Sequence, residues 1–269
     1  MPASAKDTVV ITGAASGIGR ALAREFHREG YSLALVDIDR EGLDEITTSL
    51  PGATAHLGDV AREADVAAIR ESVVRAHDTV HILVNNAGVS AAGLIEEMPI
   101  EALQRTMDVN FWGIVYCCRA FLVDLRAAAA QGQSAAICNV LSDFALLSLP
   151  TKAAYAASKH AARAFTEALG AELYGSGVSV TAVYPGATAT AIVRSGFAVD
   201  PLKQQREADY LARGTAPEVV ARHIVRAIRA RRSRVLVGLD TRAIDIASRV
   251  APGLLQFGVR RLWRRVPFL

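Results

Sequence analysis

A single doubly wound α/β domain, with a parallel sheet of about seven strands and helices on both faces, is the architecture this sequence predicts. Three observations carry the prediction. Short apolar runs alternate with helical segments along nearly the whole chain. The runs are continuously apolar, as strands are when helices cover both faces of their sheet. The first run ends in a glycine-rich turn that opens a helix, Thr12-Gly13-Ala14-Ala15-Ser16-Gly17-Ile18-Gly19. With 269 residues, 51% of them hydrophobic, the chain can bury one sizeable core.

Each element has its own signal. Residues 8–11 form a β-branched strand. Residues 19–28 are helical, with Leu22 and Phe26 one turn apart and Gly30 as the stop. A second strand, 32–36, ends at Asp37, and the helix 41–50 is broken by Pro51-Gly52. A weaker third strand, 53–57, precedes a helix over 63–77 whose Val66, Ile69 and Val73 share one stripe. The fourth strand, 80–84, runs into Asn85-Asn86-Ala87-Gly88. One long helical region spans 100–130, followed by a strand over 135–141 and a helix over 153–174. The sixth strand, 178–183, ends at Pro185-Gly186. A helix over 217–231 has Pro217 in its first turn, and 234–237 is the last strand.

Composition narrows the function classes. Cys117, Cys118 and Cys138 are too few and too poorly spaced for a disulfide framework or a zinc site, so they read as core thiols of a reducing compartment and no metal is expected. The first six residues lack the basic and apolar regions of a secretory signal, and no apolar run reaches the roughly 18 residues a membrane span needs. A cytoplasmic location is therefore expected. Net charge is +3 but uneven: from residue 215 onward twelve arginines face only Glu218, Asp240 and Asp245, so that segment carries +9 and the rest −6.

The turn places Gly13, Ser16, Gly17, Ile18 and Gly19 between a strand and a helix, where backbone N–H groups and a helix N-terminus can meet a pyrophosphate. Its Gly-x-x-x-Gly-x-Gly spacing differs by one residue from the usual dinucleotide fingerprint. Asp37, about 20 residues on at the end of the second strand, can bond both ribose hydroxyls of an adenosine; its plain alternative is a helix cap. A 2′-phosphate would meet that carboxylate with Ile38, not a cation, beside it, which favours NAD over NADP, although Arg40 lies nearby.

With these residues the chain resembles the short-chain dehydrogenase/reductase family, from about residue 8 to 238. The ordered set carries the resemblance: residues 12–19, Asp59, Asn85-Asn86-Ala87-Gly88, Asn110, Ser142, Tyr155-Ala156-Ala157-Ser158-Lys159 and Pro185-Gly186. It implies a Rossmann-type domain that moves a hydride between NAD and a secondary alcohol or ketone, with Asn110, Ser142, Tyr155 and Lys159 as the catalytic tetrad. It places Asp59 and Val60 at the adenine and Asn86, Ala87 and Gly88 at the ribose and diphosphate. Pro185, Gly186, Ala187, Thr188 and Thr190 fall at the nicotinamide. It further implies a homo-dimer or homo-tetramer. Tyr155 and Lys159, four apart, share a helix face; the ammonium and an oxidised nicotinamide would lower the phenol's pKa from about 10 toward working pH. A non-enzymatic dinucleotide sensor and a methyltransferase are the rival classes, and neither needs the 142/155/159 set.

On this reading residues 1–239 form the catalytic domain, with a mobile substrate loop over 190–214 that holds Phe197, Leu202 and Tyr210 and suits an apolar substrate. Asp143 reads as a solvated turn residue and His160 as structural. Residues 240–269 form a basic amphipathic helical extension, with Leu255, Val259, Leu262, Trp263 and Val266 on one face and Arg260, Arg261, Arg264 and Arg265 on most of the other. That face either packs on protein or, over 254–269, docks peripherally on an anionic membrane, where a lipid or steroid substrate would fit. The basic stretch contains no nucleic-acid-binding module, so nucleic acid is not an expected partner.

Overall fold

The computed structural model describes residues 7–269. Among them nine strands occur: β1 (Thr8–Thr12), β2 (Ser32–Asp37), β3 (Thr54–Leu57), β4 (Ile82–Asn85), β5 (Ala91–Ala92), β6 (Ala135–Val140), β7 (Val178–Pro185), β8 (Phe197–Ala198) and β9 (Arg234–Val237). Seven build one parallel sheet in the order β3-β2-β1-β4-β6-β7-β9, while β5 and β8 pair apart from it. The order reverses between β1 and β4, and an open α/β sheet keeps its ligand crevice at the carboxyl ends of such strands.

The helices are α1 (Gly17–Arg28), α2 (Arg40–Ser49), α3 (Glu63–His77), α4 (Ile100–Met107), α5 (Gly113–Ala130), α6 (Ala153–Glu172), α7 (Pro201–Leu211), α8 (Pro217–Arg229), α9 (Leu239–Val250) and α10 (Pro252–Leu262). They divide the core in two. On one face Leu22 and Phe26 of α1 pack with Leu43 of α2 and Ile224 of α8; on the other Val73, Phe121 and Leu169 come from α3, α5 and α6. All five residues of β1 are buried because both layers cover it. Each fully buried Leu, Ile or Phe adds about 1.5–3 kcal/mol.

Three segments differ from the sequence reading. The region 100–130 is not one regular helix: a π-helical turn over Asp108–Trp112 separates α4 from α5. The segment 190–214 is not one continuous loop: it contains β8 and α7. Asp200 caps α7 by accepting from the Leu202 and Lys203 amides, with Pro201 in the first turn. The extension is two helices, broken at Pro252. Leu255, Val259, Trp263 and Val266 turn inward and are half-buried, but Leu262 is 49% exposed. The regular helix ends at Leu262, and the 3₁₀ turn Trp263–Arg265 takes over, so one helical stripe does not extend through these residues.

Candidate active site

The turn after β1 is set by what it lacks. Gly13 sits at φ +66°, a conformation that costs a side-chain-bearing residue, and a Cβ there would stand 2.8 Å from the Ala87 Cα. A Cβ on Gly19 would stand 1.9 Å from the Gly13 carbonyl. Thr12 staples the neighbouring loop: its hydroxyl accepts from the Asn86 and Ala87 amides, and Asn86 Nδ2 donates to the Thr12 and Gly13 carbonyls. Ser16 is the N-cap of α1 and uses no side-chain bond there, and Ile18 packs on the α1 core. Thr190 comes within 3.1 Å of the position a Gly17 Cβ would take, so the 185–190 loop faces the turn. A cavity of about 400 Å³ opens between them, lined by Gly17, Arg20, Thr190 and Arg194.

Asp37 is not the helix cap; Asp39 caps α2. The Asp37 carboxylate instead accepts three backbone amides, from Ala15 at 2.9 Å, Ile38 at 2.8 Å and Asp39 at 3.1 Å. Those bonds fix a negative charge beside the turn. Arg20, on the first turn of α1, is occupied by Glu45 and the Ala15 carbonyl. Asp59 accepts from the Ala61 amide and pairs with Arg105 at 2.8 Å. Val60 is buried against Gly113. The glycine-rich turn, the helix N-terminus and the fixed carboxylate together fit a dinucleotide: room for a diphosphate and an acceptor for ribose hydroxyls.

Four further side chains gather where β4, β6 and β7 end. Tyr155 and Lys159 lie one turn apart on α6, with the ammonium 5.7 Å from the phenol ring centre. Lys159 Nζ donates to the Val140 carbonyl at 3.1 Å. Asn110, on the π-helical turn, clasps Val89 through both amide atoms and donates to Ser158. A Cβ on Gly88 would stand 3.2 Å from Asn110 Oδ1 and 3.6 Å from Lys159 Nζ, so these groups meet at one point. Ser142, just past β6, donates to Asp143 Oδ1 at 2.7 Å and accepts from the Phe144 amide. Phe144 packs edge-on against Tyr155 at 5.5 Å. On the far side, Gly186 donates to Val237, Thr188 bridges to Thr215, and Ala187 donates to Asp240.

The electrostatics differ from the sequence expectation. Burial pushes the Tyr155 phenol up, reinforced by the Asp143 and Glu207 carboxylates; the Ser142 hydroxyl pulls the other way. Burial lowers Lys159 to about 8. The surroundings of Tyr155 thus favour the neutral phenol over the phenolate. Asp143 is not a solvated turn residue either: desolvation raises it to about 6, with the Asp240 charge adding to the rise.

The family model for the short chain dehydrogenases matches residues 7–199. The chain belongs to the short-chain dehydrogenase family. It is 38% identical over 250 residues to SadH of Mycobacterium tuberculosis, an oxidoreductase by name, covering 90% of this chain and 89% of that one. Among solved structures it is similar to a short-chain dehydrogenase from Burkholderia phymatum in complex with NAD, with a TM-score of 0.83, 29% identity, and 93% and 94% of the two chains covered. It is likewise similar to 3-ketoacyl-(acyl-carrier-protein) reductase from Brucella melitensis complexed with NADH, with a TM-score of 0.78, 28% identity, and 88% and 98% covered.

Two charged features of this short-chain dehydrogenase escape sequence reasoning. Lys152, 1% exposed and next to the start of α6, pairs with the buried Glu207 of α7, fastening the 190–214 segment to the start of the helix that carries Tyr155. Neither residue belongs to a motif, and only the topology brings them together. Asp143 is the other. Its place directly after Ser142 is visible in the sequence, but its burial is not.

Proposed function

We propose that the chain is an NAD-dependent oxidoreductase that transfers a hydride between the nicotinamide and a secondary alcohol or ketone with apolar character. The observation that carries this reading is the convergence of the Tyr155 phenol, the Lys159 ammonium and the Ser142 hydroxyl beside a glycine turn built for a diphosphate. When bound, the dinucleotide supplies the hydride chemistry. Gly13, Ser16, Gly17, Ile18 and Gly19 would hold its diphosphate, Asp37 its adenosine ribose, Asp59 and Val60 its adenine, and Asn86, Ala87 and Gly88 the ribose side. The 185–190 segment (Pro185, Gly186, Ala187, Thr188, Thr190) would hold the nicotinamide. NAD is preferred because the carboxylate fixed by three amides opposes a 2′-phosphate.

Tyr155 then exchanges a proton with the substrate oxygen: it gives one during reduction and takes one during oxidation. Ser142 hydrogen-bonds that oxygen as its charge changes. Lys159 brings positive charge to the phenol and reaches for ribose hydroxyls, while Asn110 positions the water path to Lys159. The catalytic unit is 1–239 with its substrate segment 190–214. Exposed Trp112 and Val123 flanking and on α5 support self-association into a homo-dimer or homo-tetramer.

The test is Tyr155→Phe. Turnover of a panel of secondary alcohols and ketones, from short chains to steroids, is followed by NADH absorbance. A fall of about 10²–10⁴-fold with NADH binding retained is expected; activity within a few-fold of the parent overturns the assignment. A parent protein that binds NADH and turns over no member of the panel would instead be a dinucleotide sensor.

A further inference from the structure

The carboxyl-terminal extension begins and ends on the walls of the cleft. Asp240, at the start of α9, accepts from the Ala187 amide in the loop after β7. The last residues reach α7: Phe268 packs at a tilt against Tyr210 with ring centres 5.0 Å apart, Arg206 donates to the Pro267 carbonyl, and Leu269 is buried. Between these anchors the outward surface is apolar. Leu239, Val250 and Leu254 are 82%, 79% and 71% exposed, and Ile246, Phe257 and Leu262 are exposed with them. α10 has no buried residue at all.

Arginines interleave with those side chains. Arg242, Arg249, Arg260, Arg261, Arg264 and Arg265 are all exposed. Arg261 lies over Phe257 and Arg264 over Trp263, at 5.9 and 5.3 Å. The acids of the extension point elsewhere: Asp245 binds Arg234 and Arg249, and Asp240 turns to Ala187. The face is therefore both apolar and strongly cationic.

From this geometry we infer that the outward face of α9 and α10 docks on an anionic lipid surface and sets the cleft's rim against the headgroups. A bilayer offers acyl chains to six apolar side chains and phosphates to Arg242, Arg260, Arg261, Arg264 and Arg265. A second copy of the same face, related by a two-fold axis, would bring arginine against arginine. The inference goes beyond the proposed hydride transfer and does not depend on it.

The experiment is vesicle flotation of the full chain with phosphatidylglycerol-rich and with pure phosphatidylcholine vesicles, each at low and at 0.5 M salt. Two surface variants accompany it, Leu254→Ser/Phe257→Ser and Arg260→Gln/Arg261→Gln/Arg264→Gln/Arg265→Gln, with circular dichroism melting to verify that each folds. Flotation with the anionic vesicles only, reduced by salt and weakened at least about 10-fold by each variant, is the expected result. Equal partition onto both lipids, or variants that float like the parent, overturns the inference. So does a chain that stays off anionic vesicles while Leu254→Ser/Phe257→Ser splits an oligomer in sedimentation, which would assign the face to a second copy.

Discussion

Replacing Asp143 by asparagine removes a carboxyl that desolvation raises to about 6 while leaving an oxygen to accept from Ser142 and Phe144. Below about pH 4 the group is protonated in both the folded and unfolded chain and carries no penalty. Between about 4 and 6 the folded protein keeps a proton that the unfolded chain has released, so stability falls as pH rises. Above about 6 both states are ionised and the whole cost is present. A free carboxyl titrates at about 3.9 and each pH unit of difference is worth about 1.4 kcal/mol, so that cost reaches about 3 kcal/mol. Asparagine cannot ionise, and the variant lacks this slope. In urea unfolding of the dinucleotide-free proteins, Asp143→Asn should match or fall below its parent at pH 4 and exceed it by up to about 3 kcal/mol at pH 8. At about 2–4 °C per kcal/mol for a chain of this size, Tm should rise by several degrees at the higher pH. A difference between the two proteins that stays constant from pH 4 to 8 refutes the burial argument.

Three other perturbations probe the cradle and the clamp. Asp37→Ser removes the charge held by the Ala15, Ile38 and Asp39 amides; NADH binding, read by fluorescence, should weaken about 10- to 100-fold while NADPH binding holds or improves, and an unchanged ratio of the two Kd values argues against the assignment. Lys152→Met strands Glu207 in the interior and should cost about 3–5 kcal/mol in urea unfolding, most of it recovered in Lys152→Met/Glu207→Leu; a single-variant loss below about 1 kcal/mol would mean that the pair is hydrated. Gly19→Ala drives a methyl into the Gly13 carbonyl, so both melting temperature and NADH affinity should fall, and a variant that keeps both shows that the turn can relax.

The fold was legible because its signals are local. Strand β9 (234–237) and helix α3 (63–77) have the residue ranges that periodicity assigns, and the other strands of the main sheet differ by only a residue or two at their ends. Cofactor and catalytic candidates could be named because each sits at a strand end or on one face of one helix. What escaped depends on pairs distant in sequence. Lys152 and Glu207 are 55 residues apart and meet only because α7 comes back to the start of α6. The helix within 190–214 rests on that contact and on the Asp200 cap. Asp143 escapes because a polar residue after a strand is usually wet, and here the turn it opens packs against α9. The phenol's rise has the same origin: desolvation is a property of the assembled cleft, whereas the Tyr155–Lys159 spacing is written in the chain.

The wide turn at Asp108–Trp112 carries an implication for how this gene can change. A π turn holds about one residue more than an α turn, so it takes up a surplus residue while α4 and α5 stay nearly in phase. The widened turn is where Asn110 sits, and from there its amide reaches Val89 and Ser158. Deleting one residue of 108–112 would let the segment close into a regular helix with α4 still seated on α6, but Asn110 would lose the bulge that aims it at Val89. Length changes at these five positions therefore act on the site and spare the scaffold, and sequences that keep the Asn110 clasp should keep the surplus residue.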